Sequence, residues 1–502
     1  GSITCTDSLI INAGSTLNNS GAASLTLNSV FYIAGTYLEG STSGNVTLIG
    51  LVHIANTGKF QATVGESFTI RGGIKNEGTF ISGTGNYTFA TNNQTLSGSL
   101  MFTFQGSLTV TGIVLTSEDS VRINGTFTGT GSFVNQSYLL LMGATNTITT
   151  LDVSAVGNIV EYGFAGTQTV KGASYSILRI TGSGTKTTNA NINVSNEISI
   201  GSGATLAMST FLFTLDPSCA ITGTGNLSTA NVTATPIPAG KVWPFTTITF
   251  NSGSAQTIVH GTYTNLTSSS IARTLSNAGN IVINGLFTPG TGTYTSTGTT
   301  VIFNSVATQT IPGITGGYNK VILNSGTKNP SGTITCADSL IINSGATLNN
   351  SGTASLSFNG IFYIAGTYIE GSTSGSVTLV GLIHIAPTGT FQVNVAEIFD
   401  IRGGIKNEGT FISGTGTYTF ATNNQALSGT KMFTFSGGVT VTGITLTASD
   451  SVRINGTFQG TGTFVNQSYL LLMGATNSIT TLNLASAGNT VVYGAAGTQT
   501  VI

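Results

Sequence analysis

Between Leu9 and Phe127 one short phrase returns six times: an extended apolar stretch, a glycine, one or two small or polar residues, then Leu, Tyr or Phe. It reads LIINAGSTL, FYIAGTYL, VHIANTGKF, IKNEGTF, FTFQGSL and VRINGTF. The glycines are Gly14, Gly35, Gly58, Gly78, Gly106 and Gly125, at chain intervals of 21, 23, 20, 28 and 19. Within the stretches large residues alternate, as in Phe68 and Ile70, Phe102 and Phe104, and Val121 and Ile123. That alternation is the mark of a strand with one buried face. No stretch offers the 3.6-residue period of a helix, and glycine provides a tight bend between strands at little steric cost. Short strands, a glycine bend and a return about every 22 residues predict an all-β chain wound as a parallel β-helix, or β-solenoid. The alternative is a string of tandem β-sandwich domains, which also show short strands with frequent turns. Against it stand the recurrence at coil length and the want of a Cys…Trp…Cys pattern, the sole tryptophan being Trp243.

A longer period lies over the short one. With Gly1 set upon Gly332, the segment Gly1–Lys171 aligns with Gly332–Ile502 without a gap, and about three positions in four are identical. The chain therefore divides into the first part of a unit (1–171), the remainder of that unit (172–331) and a second copy of the first part (332–502), all expected to form one continuous solenoid. At ~4.8 Å per coil, about fifteen coils per unit would rise roughly 70 Å. The chain opens at GSITC and stops inside a unit without the atypical capping repeat of a solenoid end, so the array is expected to continue in a larger polypeptide.

Composition narrows the function. Charged residues are 6% of the chain, against about 25% in ordinary globular proteins, so Ser, Thr and Asn must form most of the surface. The net charge is −1 with no Lys/Arg cluster, which gives nucleic acid or an anionic membrane nothing to be steered by. No apolar run reaches the ~20 residues of a membrane span. Cys5, Cys219 and Cys336 are too few and too scattered for a disulfide framework or a zinc site, and read as buried free thiols.

Catalysis requires clustered groups, and the richest cluster is the segment IRGGIKNEGTFISGTG, present at 70–85 and again at 401–416. Alternation turns Arg71 and Lys75 outward, with Glu77 near the bend, where they read as a surface ion pair. Such a pair also discourages misregistered pairing. His53, its copy His384 and His260 are scattered, and no Ser–His–Asp or Cys–His arrangement can be assembled from them. A Ca²⁺-binding nonapeptide, an EF-hand loop and a P-loop lysine are all missing. Thr-x-Thr steps occur, but read along the chain they hold no fixed coil position. A recurring Gln (Gln94, Gln168, Gln256, Gln309, Gln425, Gln499) either stacks between coils or faces solvent. No catalytic residue, cofactor or metal ligand is assigned. A segment copied intact with its neighbours is a coil being reused, and the chain is expected not to be an enzyme.

The phrases NGTFTGTGSF, GLFTPGTGTYTSTGTTVIFN and ATQTIPG resemble the giant, repetitive, Gly/Thr/Asn-rich surface proteins of the Bacteroidetes exported by type IX secretion. The architecture is also similar to that of filamentous-haemagglutinin-like β-helix adhesins. The resemblance implies an extracellular or cell-surface location and a role as a structural filament or surface fibre. Glycan- or surface-binding adhesion is the alternative, and a β-helix polysaccharide-degrading enzyme a distant third. Partners would be further repeats, laterally or end to end, and attached glycans. That group's O-glycosylation signal resembles Asp, then Ser or Thr, then an apolar residue. On it DSL marks Ser8 and Ser339, while DSV marks Ser120 and Ser451. An Asp/Ser bend before a strand explains the same letters. Asn-X-Ser/Thr sequons occur as well, among them those at Asn45 and Asn86.

Overall fold

Alternating β-branched and aromatic residues settle into strands of two to nine residues, and the computed structural model, which describes all 502 residues, builds its regular elements from strands alone. No helix in it is long and apolar enough to cross a membrane. Strands pair in parallel with the strand one coil earlier and one coil later, so each of the two compact units is a β-solenoid and tandem sandwiches are excluded. One unit comprises Gly1–Asn231, Pro236–Pro238 and Pro244–Thr249; the other comprises Val232–Thr235, Ala239–Trp243 and Phe250–Ile502.

In the first unit three strands make a coil, and equivalent strands stack into faces. The first face runs through Ile3–Cys5, Leu25–Leu27, Val46–Leu48, Phe68–Ile70 and Tyr87–Ala90. The second runs through Leu9–Ile11, Phe31–Ile33, Val52–Ile54 and Ile74–Asn76, and the third through Thr16–Asn19, Thr36–Glu39, Lys59–Ala62 and Thr79–Ile81. Register partners show the coil length directly. Ile3 faces Leu25, Leu25 faces Val46, Val46 faces Phe68 and Phe68 faces Tyr87. The second unit repeats the pattern: Ile334 faces Leu356, Leu356 faces Val377 and Val377 faces Phe399.

Alternation sends every second side chain inward. Phe31, Ile33, Val52, Ile54, Phe68 and Ile70 are buried, while the residues between them are half exposed. Each such aliphatic or aromatic side chain contributes about 1.5–3 kcal/mol on burial. Aromatic rings continue from coil to coil: Phe68 stacks on Tyr87 at 4.7 Å and 15°, and the copies Phe399 and Tyr418 stack at 4.9 Å and 10°. Cys219 and Cys336 are buried and in no disulfide, whereas Cys5 is only partly covered.

The bend glycines have two separate causes. Gly14 takes φ +79° at the third position of a turn closed by the Ser15 N–H on the Asn12 carbonyl, as a type II turn requires. At the other five the need is proximity to the preceding coil. A Cβ at Gly35 would lie 2.2 Å from the Ser15 carbonyl oxygen, at Gly58 1.9 Å from that of Ile33, and at Gly78 2.2 Å from that of Ala55. At Gly106 it would lie 2.0 Å from the carbonyl oxygen of Gly85, and at Gly125 2.5 Å from backbone of Gly106. The bend expected from composition is thus chiefly a place where two backbones touch.

The recurring glutamines do not stack on one another, and five of them are buried while Gln499 is half-buried. Their amides donate to carbonyls at the corners: Gln168 Nε2 to Leu141 and Gly143 (2.9 and 2.8 Å), and Gln94 Nε2 to Ile70 and Ala90 (2.9 Å each). One rung beyond Gln168 stands Lys186, and one rung beyond Gln309 stands Lys328. Lys186 Nζ donates to the carbonyls of Phe164, Gly166 and Ser183 at 2.6, 2.7 and 2.8 Å, and Lys328 Nζ to those of Ser305 and Ser325. Buried carbonyls are costly to leave unpaired, and these long donors supply corner carbonyls from inside, including those of Leu141 and Ser183, which also accept the N–H of Gly163 and Gly166.

Two outcomes follow from this packing. Gly78→Ala forces a methyl into backbone, so its urea midpoint should drop by the equivalent of about 1–3 kcal/mol. Gly21→Ala, whose Cβ meets nothing within 4 Å, should change it by less than about 0.5 kcal/mol. Burial pushes Lys328 down from its ordinary value to about 8. The unfolded chain therefore binds more protons than the folded one between that value and the usual lysine range. Its contribution to stability rises with pH through that window. Lys328→Met should accordingly show a smaller gain in melting temperature between pH 7.5 and 9.5 than the unaltered chain.

Candidate functional site

On the second face the outward position of successive strands is occupied by Ile10, Tyr32, His53, Lys75 and Ser97. Register, not sequence proximity, gathers them. Glu77 sits just past the strand Ile74–Asn76 and turns back over the face. Its Oε1 accepts from Lys75 Nζ at 2.8 Å and its Oε2 meets His53 Nε2 at 2.8 Å. Tyr32 packs edge-on against the His53 ring at 5.1 Å. In the second copy Lys406 and His384 hold Glu408 at 2.8 and 2.9 Å, with Tyr363 against His384 at 5.1 Å. The hydrogen bond from lysine, then that from histidine, holds each Glu carboxyl below the usual carboxylate range. Of the surface ion pairing expected among Arg71, Lys75 and Glu77, the Lys75–Glu77 contact forms, and His53 joins it from the preceding coil. Arg71 stands outside the cluster. In the copy its counterpart Arg402 binds Asp400, with Nη2 at 2.6 Å from Oδ2, where the first copy has Thr69.

A His–Glu contact can fix a tautomer and raise ring basicity, but acyl transfer also needs a nucleophile within ~3 Å of the ring. The aliphatic hydroxyl in this column is Ser97, two rungs from His53 and so roughly 10 Å away at the parallel-strand spacing, while Tyr32 meets the imidazole with its ring. The arrangement is that of a charge-compensated patch holding three coils together.

The first face carries a second arrangement, a fixed coil position held by single threonines, which reading the Thr-x-Thr steps along the chain does not reveal. The central outward residue of eight successive coils is Thr4, Thr26, Thr47, Thr69, Thr88, Thr109, Thr128 and Thr147. Two residues before each threonine stands a Ser, Asn or Thr, from Ser2 to Thr145, and the sequons at Asn45 and Asn86 belong to this lattice. The hydroxyls bind one another: Thr109 Oγ1 lies 3.3 Å from Thr128 Oγ1 and donates to Asn86 Oδ1 at 3.2 Å, and Thr126 Oγ1 donates to Ser107 Oγ at 2.8 Å. In the second copy the column is broken by Asp400 and Gln459. The signal is present in the sequence as (Ser/Asn/Thr)-x-Thr at coil spacing, but it emerges only when coils of unequal length are aligned.

At each Asp-Ser step except that at Ser339, the Asp carboxylate accepts from the following N–H: Ser8, Ser120 and Ser451 donate to Asp7, Asp119 and Asp450 at 2.8, 2.8 and 2.7 Å. Ser8 is exposed, Ser120 and Ser451 are half-buried and Ser339 is buried within a strand.

No protein-family model, curated protein or solved structure matches the chain.

Acidification tests the ion cluster. A carboxyl held below its unfolded value gives stability that is present above that value and is lost as pH falls through the folded one. Glu77→Gln/Glu408→Gln should therefore lose less melting temperature between pH 6 and 3 than the unaltered chain. Equal losses would mean that the lysines and histidines do nothing for folding.

Proposed function

We propose that this chain is a structural segment of an extracellular filament or long surface fibre, extended by duplicating coils. The observation that carries this reading is the fidelity of the two copies. The His–Glu contact measures 2.8 Å in the first and 2.9 Å in the second. The Phe–Tyr stack measures 4.7 Å and 4.9 Å. A coil whose geometry depends only on the coils beside it can be added repeatedly without redesign. The nearly uncharged Ser/Thr/Asn skin supports the same reading, since it stays hydrated by neutral hydrogen bonding and leaves little charge repulsion between neighbouring fibres. Ser8, Ser120 and Ser451 would offer hydroxyls for attached sugar.

The threonine lattice favours a second reading, adhesion. A regular array of hydroxyls and amides can form many weak hydrogen bonds with a surface that is itself rich in hydroxyls, such as polysaccharide. On this view Asp400 and Gln459 make the second copy the poorer binder.

Negative-stain images of the native material decide the main reading. Fibres of uniform width, longer than one copy of this chain could span, are expected, and dispersed compact particles would overturn it. For adhesion, Thr69→Glu/Thr109→Glu should abolish retention on immobilised polysaccharide, and retention unchanged by these substitutions would remove that reading.

A further inference from the structure

Inside the corner between the third and first faces lie two carboxyl groups that the surface chemistry does not use. Glu39 ends the strand Thr36–Glu39 and is 1% exposed; Glu66, one coil on in the connection between Lys59–Ala62 and Phe68–Ile70, is 2% exposed. Glu39 is well provided with donors. Asn19 Nδ2 reaches its Oε2 at 2.7 Å, Tyr37 Oη donates to the same oxygen, and the Ser41 N–H reaches Oε1 at 3.2 Å. Glu66 is not: its carboxyl has the Ser67 N–H, while Oε2 is buried with no hydrogen-bond partner. The charge acting on Glu66 is the like charge of Glu39, with no basic side chain opposing it.

The second copy keeps the buried pair and the donors to its first member, while the buried oxygen without a partner is found at Glu66 and not at Glu397. Glu370 and Glu397 are 1% and 5% exposed, Asn350 and Tyr368 donate to Glu370, and Glu397 feels the Glu370 charge. There Glu397 lines a cavity of ≈ 430 Å³ whose other walls include Thr373, Ser376 and Thr378. Burying two like-charged carboxylates without a counter-charge costs several kcal/mol per ion, yet the pair stands at the same coil corner in both copies.

We propose that Glu39 with Glu66, and Glu370 with Glu397, each bind a divalent cation of the calcium type. Carboxylate oxygens are hard donors, and around Glu397 the hydroxyl-bearing Thr373, Ser376 and Thr378 in the cavity wall are of the same character. Calcium accepts six to eight such oxygens in irregular geometry, whereas magnesium requires a near-octahedral set and dehydrates reluctantly. Nowhere in the chain do three or more His, Cys, Asp or Glu side chains gather. A two-carboxylate site therefore belongs to the weak class, with Kd on the order of 10⁻⁴–10⁻³ M. The ion would join the strand end of one coil to the connection one coil on, through the unpartnered Glu66 oxygen. The rival occupant is a proton: burial, then the Glu39 charge, push the Glu66 carboxyl up, and a neutral Glu66 would also relieve the repulsion.

The full chain, stripped with chelator, tests this by terbium titration with excitation of tyrosine, because Tyr37 and Tyr368 touch the carboxyls concerned. Saturable luminescence from two ions per chain is expected, displaced by calcium and poorly by magnesium, together with a melting temperature that rises with calcium. Glu66→Gln should halve the number of sites, and Glu66→Gln/Glu397→Gln should weaken terbium binding at least tenfold, with circular dichroism confirming the fold. Should the variants fail to fold, the calcium titration of the unaltered chain decides alone. No saturable signal and no melting shift up to about 10 mM calcium, ten times the weak limit of the class, would overturn the proposal. So would binding unchanged by both substitutions, or a Glu66→Gln chain stabilised at pH 7 with no calcium response, which is the signature of a shared proton.

Discussion

Within each unit a coil exchanges backbone hydrogen bonds with the coil before it and the coil after it, and this parallel ladder dictates what the rest of the unit can be. Because pairing joins residues one full coil apart, side chains at equal positions in successive coils become neighbours. Inward positions must then be apolar or internally satisfied, and outward positions form columns. The columns of threonine, of Tyr32–His53–Lys75 and of Gln168–Lys186 follow from this one constraint, although they differ in chemistry.

The ladder also explains the polar groups inside. Where the chain turns between faces, carbonyls are drawn into partly or wholly buried corners. Gln94, Gln168 and Gln309 supply an amide at such corners, and Lys186 and Lys328 an ammonium. A lysine buried among carbonyls keeps its hydrogen bonds but is penalised for its charge, so its affinity for the proton falls. The Glu39–Glu66 corner is the opposite case, an excess of acceptors in place of donors, and for that reason it calls for a cation or a proton.

The β-solenoid was legible in the alternation of Phe68 and Ile70 and in the return of the Gly phrase, because both are local patterns. The cause of the glycines was not. Gly58 looks in sequence like a flexible bend, but its Cβ is excluded by the Ile33 carbonyl of the preceding coil. His53 and Glu77, one coil apart along the chain, look unrelated for the same reason, and the threonine lattice is hidden by coils of unequal length. The buried lysines could not be read from sequence at all, since a lysine in an uncharged stretch resembles a surface residue until its corner is seen. What was lost in each case is the number of residues in each coil, which decides who faces whom.

Register is therefore what a direct measurement should address. In a chain whose native cysteines have been replaced, Thr69→Cys/Thr88→Cys places two thiols on adjacent rungs of the first face, within the roughly 4.4–6.8 Å Cα separation a disulfide needs. Thr69→Cys/Thr109→Cys places them two rungs apart, roughly 10 Å at the parallel-strand spacing. Mild oxidation should join the first pair quantitatively within one chain and leave the second pair free. Ready closure of the second pair, or failure of the first, would contradict the parallel register from which every column described above is built.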